Sequence, residues 1–171
     1  MLTAILLAYD EPAQPLRRDA IARSLASLVD ACVQGLVADA VLAGAPDRGL
    51  DQIADEAGCA LVETAKAPDG LTKALSIARH DDVFLLLAGH AVERGFTDEV
   101  NDAFAYGARD QALILRRAPD SFLTRLAPRF ATVVGVVARK AALREAGGAD
   151  LNRIARALRG AELNSAARRT F

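Results

Sequence analysis

Apolar stretches of strand length alternate along this chain with segments whose apolar residues recur every three or four positions. Residues 2–8 form an unbroken apolar run, the signature of a strand buried on both faces. Over 17–36, Ile21, Leu25, Leu28, Cys32 and Leu36 mark one side of a helix. A second strand is predicted at 39–43. Leu50, Ile53, Ala54 and Ala57 then stripe a short helix that Gly58 ends. Residues 59–63 read as a third strand, 69–80 as a helix and 83–87 as a fourth strand. Thr97 is the predicted cap of a helix over 98–108, with Asp98 and Glu99 complementing its dipole. A strand at 111–115, a helix at 121–126, a β-branched strand at 131–138 and a helix at 140–146 stopped by Gly147 and Gly148 complete the core. Residues 151–169 are basic and helix-prone.

This βαβαβαβ order predicts an α/β domain, a mostly parallel sheet with helices on both faces. Ligands of such sheets lie beyond the carboxyl ends of the strands. The positions of interest are therefore 9–11, 43–48, 88–90 and the loops near Arg116 and Arg139.

Composition narrows the function classes. The 171 residues suit one domain, and a net charge of -1 gives no long-range field for nucleic acid. Tryptophan is absent and aromatics make up 5%, which weighs against a base-stacking platform. Cys32 and Cys59 lack metal-site spacing and read as small buried hydrophobes in a reducing compartment. No apolar run approaches the ~18–20 residues of a transmembrane segment. The apolar N-terminus has no basic flank, so the expected location is cytoplasmic. Dinucleotide, P-loop, nucleophile-elbow and H-E-x-x-H signatures are all missing.

Several segments resemble the family 2-type glycosyltransferases of GT-A nucleotide-sugar fold. Ala8-Tyr9-Asp10-Glu11-Pro12 resembles the family's first strand and turn. Val41-Leu42-Ala43-Gly44-Ala45-Pro46-Asp47 resembles its second strand and Asp-containing loop, and Leu85-Leu86-Leu87-Ala88-Gly89-His90 its Asp-x-Asp strand end. The stretch 135–148, with Arg139, Lys140 and Gly147-Gly148, resembles the segment near the acceptor site. The resemblance covers residues 2–150. It implies a single-domain, Rossmann-like, three-layer α/β/α sandwich over 1–171, mostly parallel with a late antiparallel strand. Residues 1–150 would form the core and 151–171 a C-terminal helical tail.

The departures bear on chemistry. Where the family places a nucleoside-contacting aspartate, this chain has Ala43, and where it places its metal-binding pair, Ala88 and His90. No Mg²⁺ or Mn²⁺ cofactor is expected, because alanine offers no ligand and a lone imidazole anchors hard cations poorly. Arg116, Arg117, Arg139 and Lys140, at predicted strand ends, are the alternative partners for a diphosphate. Tyr9, Asp10, Glu11, Asp47 and His90 complete the candidate nucleotide-binding set, and Glu162 is the candidate acceptor base. Each also has a plainer reading: Asp10 and Glu11 as turn residues, Asp47 as a helix cap, the basic pairs as surface charge, Glu162 as an exposed helix residue. Three functions remain open. One is a glycosyltransferase-like protein with impaired or lost metal-dependent transfer that still binds a nucleotide or nucleotide-sugar. The others are an inactive scaffold for a protein partner or homodimer, with Arg153, Arg156 and Arg159 as docking surface, and an active metal-independent enzyme. An unrelated doubly wound domain is the competing fold.

Overall fold

The computed structural model describes residues 1–10, 16–107, 110–119 and 131–170. The predicted loop at 11–15, which contains Glu11, and the predicted helix at 121–126 lie outside the described residues. The chain runs β1 (Leu2–Ala8), α1 (Arg18–Ala26), α2 (Val29–Val33), β2 (Val37–Gly44), α3 (Leu50–Ala57), β3 (Ala60–Glu63), α4 (Ala67–Ile77) and β4 (Asp82–Leu87). It continues through β5 (His90–Val92), α5 (Phe96–Ala105), β6 (Leu113–Arg117), β7 (Val133–Arg139), α6 (Lys140–Ala146), α7 (Leu151–Leu158) and β8 (Ala161–Arg169).

The described strands form one mixed sheet in the order β3-β2-β1-β4-β7-β6-β8-β5. β1 to β4 are mutually parallel, β6 and β8 share their direction, and β7 and β5 run the opposite way. Every residue of β1 is buried, as its unbroken apolar run requires. Its alternate residues feed two separate cores. Leu2, Ala4 and Leu6 pack with Ile21, Leu50 and Phe96 on one face, from α1, α3 and α5. Ile5 and Leu7 pack with Leu71, Leu75, Leu143 and Ile154 on the other, from α4, α6 and α7. The expected three-layer sandwich with a late antiparallel strand is therefore present.

The sheet cannot be flat. Four strand spacings separate β4 from β5 in the strand order, about 19 Å in a planar sheet. Only Ala88 and Gly89 join them, and the Cα steps from Leu87 to His90 reach about 11 Å at most. The sheet must curl until its β5 edge returns to the centre.

Four expectations are corrected. The helix at 17–36 is two helices, α1 ending at Ala26 and α2 starting at Val29, and Ser27 caps the first. Its hydroxyl donates to the Ser24 carbonyl (2.7 Å) and accepts from Val92 N (3.2 Å), which docks β5 on α1. Cys32 is exposed there, and Cys59 is only partly buried. Thr97 is buried inside α5, whose cap is Gly95 at φ 93. The helical tail at 151–171 is helix only to Leu158; Arg159 turns left-handed (φ 47) and β8 follows. The open edge of β6 offers hydrogen-bonding partners, which override the helical propensity of an Ala- and Arg-rich segment. No helix among the described residues is long and apolar enough to cross a membrane.

β8 bulges between its contacts with Ile114 and Arg116, and Glu99 of α5 fills the gap. Its carboxylate accepts from Asn164 N (2.6 Å), Asn164 Nδ2 (2.9 Å), Ser165 N (2.9 Å) and Ser165 Oγ (2.8 Å). Burial opposes its ionisation, but these donors outweigh burial and hold its carboxyl below the usual range. A lowered folded-state pKa gives stability that is present above the unfolded value and lost as pH falls through the folded one. Glu99→Gln is expected to lower unfolding free energy by about 1–3 kcal/mol at neutral pH. In urea titrations the gap from wild type should shrink below about pH 4; a gap independent of pH would contradict the assignment.

Candidate functional site

The chain steps outward from β1 to β2 to β3, then α4 carries it back across to β4 on the other side of β1. The strand order reverses between β1 and β4, so the crevice beyond their carboxyl ends is where this topology holds ligands. One wall is closed. Ala88 N donates to Leu7 O (3.0 Å), and Gly89 N donates to the Ser24 hydroxyl on α1 (2.9 Å). Gly89 O accepts from Thr170 N (3.0 Å). Gly89 sits at φ 84, a conformation that side chains resist, which is why the turn uses glycine.

The opposite wall, on the α4 and α7 side, opens into a cleft of about 600 Å³ lined by Asp10, Ala67, Pro68, Gly148, Asp150 and Arg153. The first turns of α4 and α7 both line it, and Arg153 is its one cationic lining residue among those described. Its two carboxylates are already engaged. Asp150 caps α7 by accepting from Asn152 N (2.9 Å) and Arg153 N (3.3 Å). Asp10 pairs with Arg48 through both carboxylate oxygens and accepts from Leu16 N (2.7 Å). The Arg48 guanidinium, followed by the Leu16 amide, holds the Asp10 carboxyl below the usual range.

Tyr9 arches over the end of β2. Its hydroxyl shares a hydrogen bond of 2.6 Å with Thr64, just past β3. Burial, partly offset by that bond and reinforced by Asp69, pushes its phenol upward. The hydroxyl lies over Gly70 so closely that a Cβ there would sit 1.9 Å from it. Ala43 and Ala88 are buried in the cores on opposite faces of the sheet.

The other sequence candidates scatter. Asp47 is near the cleft end at φ 60 but does not cap α3, whose cap is Gly49. His90 begins β5 opposite Arg169, and both its ring nitrogens are buried. Arg116 is held by Glu162 (2.6 Å) and by the Ala131 carbonyl (2.6 Å), so the candidate base is an ion-pair partner on β8 rather than a helix residue lining the cleft. Arg117 lies at the same end of the sheet but lines a different pocket. Arg139 and Lys140 lie at the wrong end. β7 runs antiparallel, so its carboxyl end meets the start of β4, where Arg139 is 3.4 Å from Asp82 and Lys140 donates to the Ala78 carbonyl beyond α4 (2.8 Å). Sequence reasoning reached Arg48 only as the end of the stretch 43–48, with no role, and did not single out Thr64, Gly70 or Asp150 as site residues. Only Asp150 carried a local signal: an aspartate just ahead of the helical stripe Leu151, Ile154, Ala155.

Magnesium or manganese, implied by the resemblance, does not fit these residues. At the β4–β5 turn the side chains are a methyl group, a hydrogen and a buried imidazole, whereas such ions take oxygen ligands. Among the described residues no three His, Cys, Asp or Glu side chains converge.

No family model and no curated protein matches the chain. Solved structures do. Glucosyl-3-phosphoglycerate synthase from Mycobacterium tuberculosis, in complex with Mn²⁺, UDP and glucosyl-3-phosphoglycerate, aligns at a TM-score of 0.66 and 14% identity, over 99% of this chain and 71% of that one. The same enzyme with Mn²⁺, UDP-glucose and phosphoglyceric acid aligns at 0.59 and 14%, over 94% and 68%. Mannosyl-3-phosphoglycerate synthase from Rubrobacter xylanophilus aligns at 0.56 and 13%, over 82% and 54%. The fold is of GT-A type.

Gly70→Ala is expected to expel the Tyr9 ring and cost about 1–3 kcal/mol. Tyr9→Phe should cost about 0.5–1.5 kcal/mol through the lost Thr64 bond. Chemical denaturation checks both; a neutral Gly70→Ala would show that Tyr9 does not occupy this position.

Proposed function

We propose that this chain is a glycosyltransferase-like protein that binds a nucleotide or nucleotide-sugar and in which metal-dependent sugar transfer is impaired or lost. The observation that carries the reading is the burial of Ala43 and Ala88: the scaffold keeps the strands and replaces their acidic ends with core packing. Binding is supported by the cleft, where the side-chain-uncapped N-terminus of α4 and the Arg153 side chain favour an anionic group beside the end of β1, the Asp10 and Asp150 carboxylates being engaged by Arg48 and by backbone amides. Neighbours of the same fold were solved with UDP and UDP-glucose.

Transfer requires charge on the departing diphosphate to be neutralised, and each missing electrostatic element commonly costs ~10²–10³ in rate. The cationic replacement read from sequence is dispersed: Arg139 and Lys140 face the other end of the sheet, and Arg116 is engaged by Glu162. This favours binding over metal-independent transfer.

A melting panel of UDP, GDP and UDP-glucose, with and without Mn²⁺, tests the reading. At a hundredfold excess over Kd, a bound nucleotide adds about 2.7 kcal/mol of stability. A nucleotide is expected to raise Tm, Mn²⁺ to add nothing, and Arg153→Glu to abolish the shift without lowering the ligand-free Tm. A flat panel would refute nucleotide binding; an enlarged shift and sugar release with Mn²⁺ would refute the loss of metal dependence.

A further inference from the structure

The charged residues that line the cleft at the end of β1 are, among those described, one arginine and two carboxylates. That balance by itself repels an anion. The Asp150 charge is taken up by the first turn of α7, whose amides it caps. The Asp10 charge meets a guanidinium that does not itself line the cleft, that of Arg48.

Arg48 reaches Asp10 from the loop between β2 and α3. Its Nη2 donates to Asp10 Oδ1 (2.9 Å) and its Nη1 to Oδ2, a planar fork on a planar carboxylate. Nη2 also donates to the Leu16 carbonyl (3.1 Å), and Leu16 N donates to Asp10 Oδ1 (2.7 Å). Arg48 is 37% exposed and Asp10 39%, so the pair adds little to folding stability. Its effect is on the field in the cleft, because a charge in the wall acts over a screening length of about 10 Å at 0.1 M salt. Asp10 also has a hold of its own. The preceding residue, Tyr9, is anchored to Thr64 (2.6 Å), which keeps Asp10 in the wall when Arg48 is replaced.

We propose that Arg48 sets the sign of this cleft: by masking Asp10 it makes the site receptive to an anionic ligand, as a positioning residue that does not touch that ligand. The role rests on the nucleotide-binding reading and deepens it. The two halves of the pair then act in opposite directions. Without the Arg48 cation an uncompensated carboxylate faces the ligand; without the Asp10 charge an uncompensated guanidinium stands beside it. A pair that only braced the loop would give a loss from either side.

Calorimetric titration of the full chain at low ionic strength in metal-free buffer, with UDP and separately with inorganic pyrophosphate, provides the test. Arg48→Met is expected to weaken binding about threefold or more, Asp10→Asn to tighten it by a similar factor, and the double variant to return near wild type. Arg48→Lys, which keeps the charge without the fork, should stay near wild type. These differences should shrink at about 0.5 M salt. Ligand-free melting verifies that each variant is folded; should Arg48→Met fail to fold, Asp10→Asn and Arg48→Lys still carry the sign of the effect. Weaker binding by both Arg48→Met and Asp10→Asn, an equal loss in Arg48→Lys and Arg48→Met, or no change in any variant would overturn the proposal. If pyrophosphate follows the expected order while UDP does not bind, the charge assignment stands and the nucleotide reading falls. Binding of neither probe by wild type overturns both.

Discussion

The two-residue link Ala88–Gly89 is the constraint on which the rest of the molecule depends. It joins a central strand to the far edge of the same sheet, so the sheet curls or the chain breaks. The link is held by backbone groups: Ala88 N on β1, Gly89 N on a serine of α1 and Gly89 O on the residue after β8. Each bond ties the turn to a different part of the chain, and the curl brings β5 against both α1 and β8. A turn this committed to architecture persists without any carboxylate on it. The turn's position therefore rests on main-chain hydrogen bonds and on Ser24, not on any side chain of Ala88 or His90.

The same curl divides the carboxyl end of the sheet into two environments. On the α4 and α7 side, helix termini and Arg153 surround a cleft whose own carboxylates are neutralised by Arg48 and by backbone amides. On the α5 side, β6 and β8 deliver arginines into a second pocket. Acidic side chains still do structural work between them. Glu99 fills the β8 bulge, and Glu93 orients Arg168. Tyr9 adds a hydroxyl latch over β2 that requires a glycine beneath it.

Much of the parallel half was legible. The unbroken run of β1, the stripe of α3 with Gly58 at its end, the strand at 83–87 and the helix Lys140–Ala146 all appear where periodicity places them, because burial on both faces or on one stripe is a local property of sequence. The site was legible only in part. Asp10 lines the cleft, with Tyr9 beside it, but Asp10 is bound to Arg48, and a bidentate pair across 38 positions leaves no trace in local spacing.

By itself, then, the sequence determined the α/β class, the first four strands, and the absence of acids at the ends of β2 and β4, since these are matters of residue identity and short-range pattern. Tertiary structure decided the direction of β7, which sends Arg139 and Lys140 away from the ligand end, and the conversion of 161–169 from an apparent helix into a strand. Those outcomes rest on which edge is open for hydrogen bonding and which way the neighbouring strand runs, and neither quantity exists until distant segments meet.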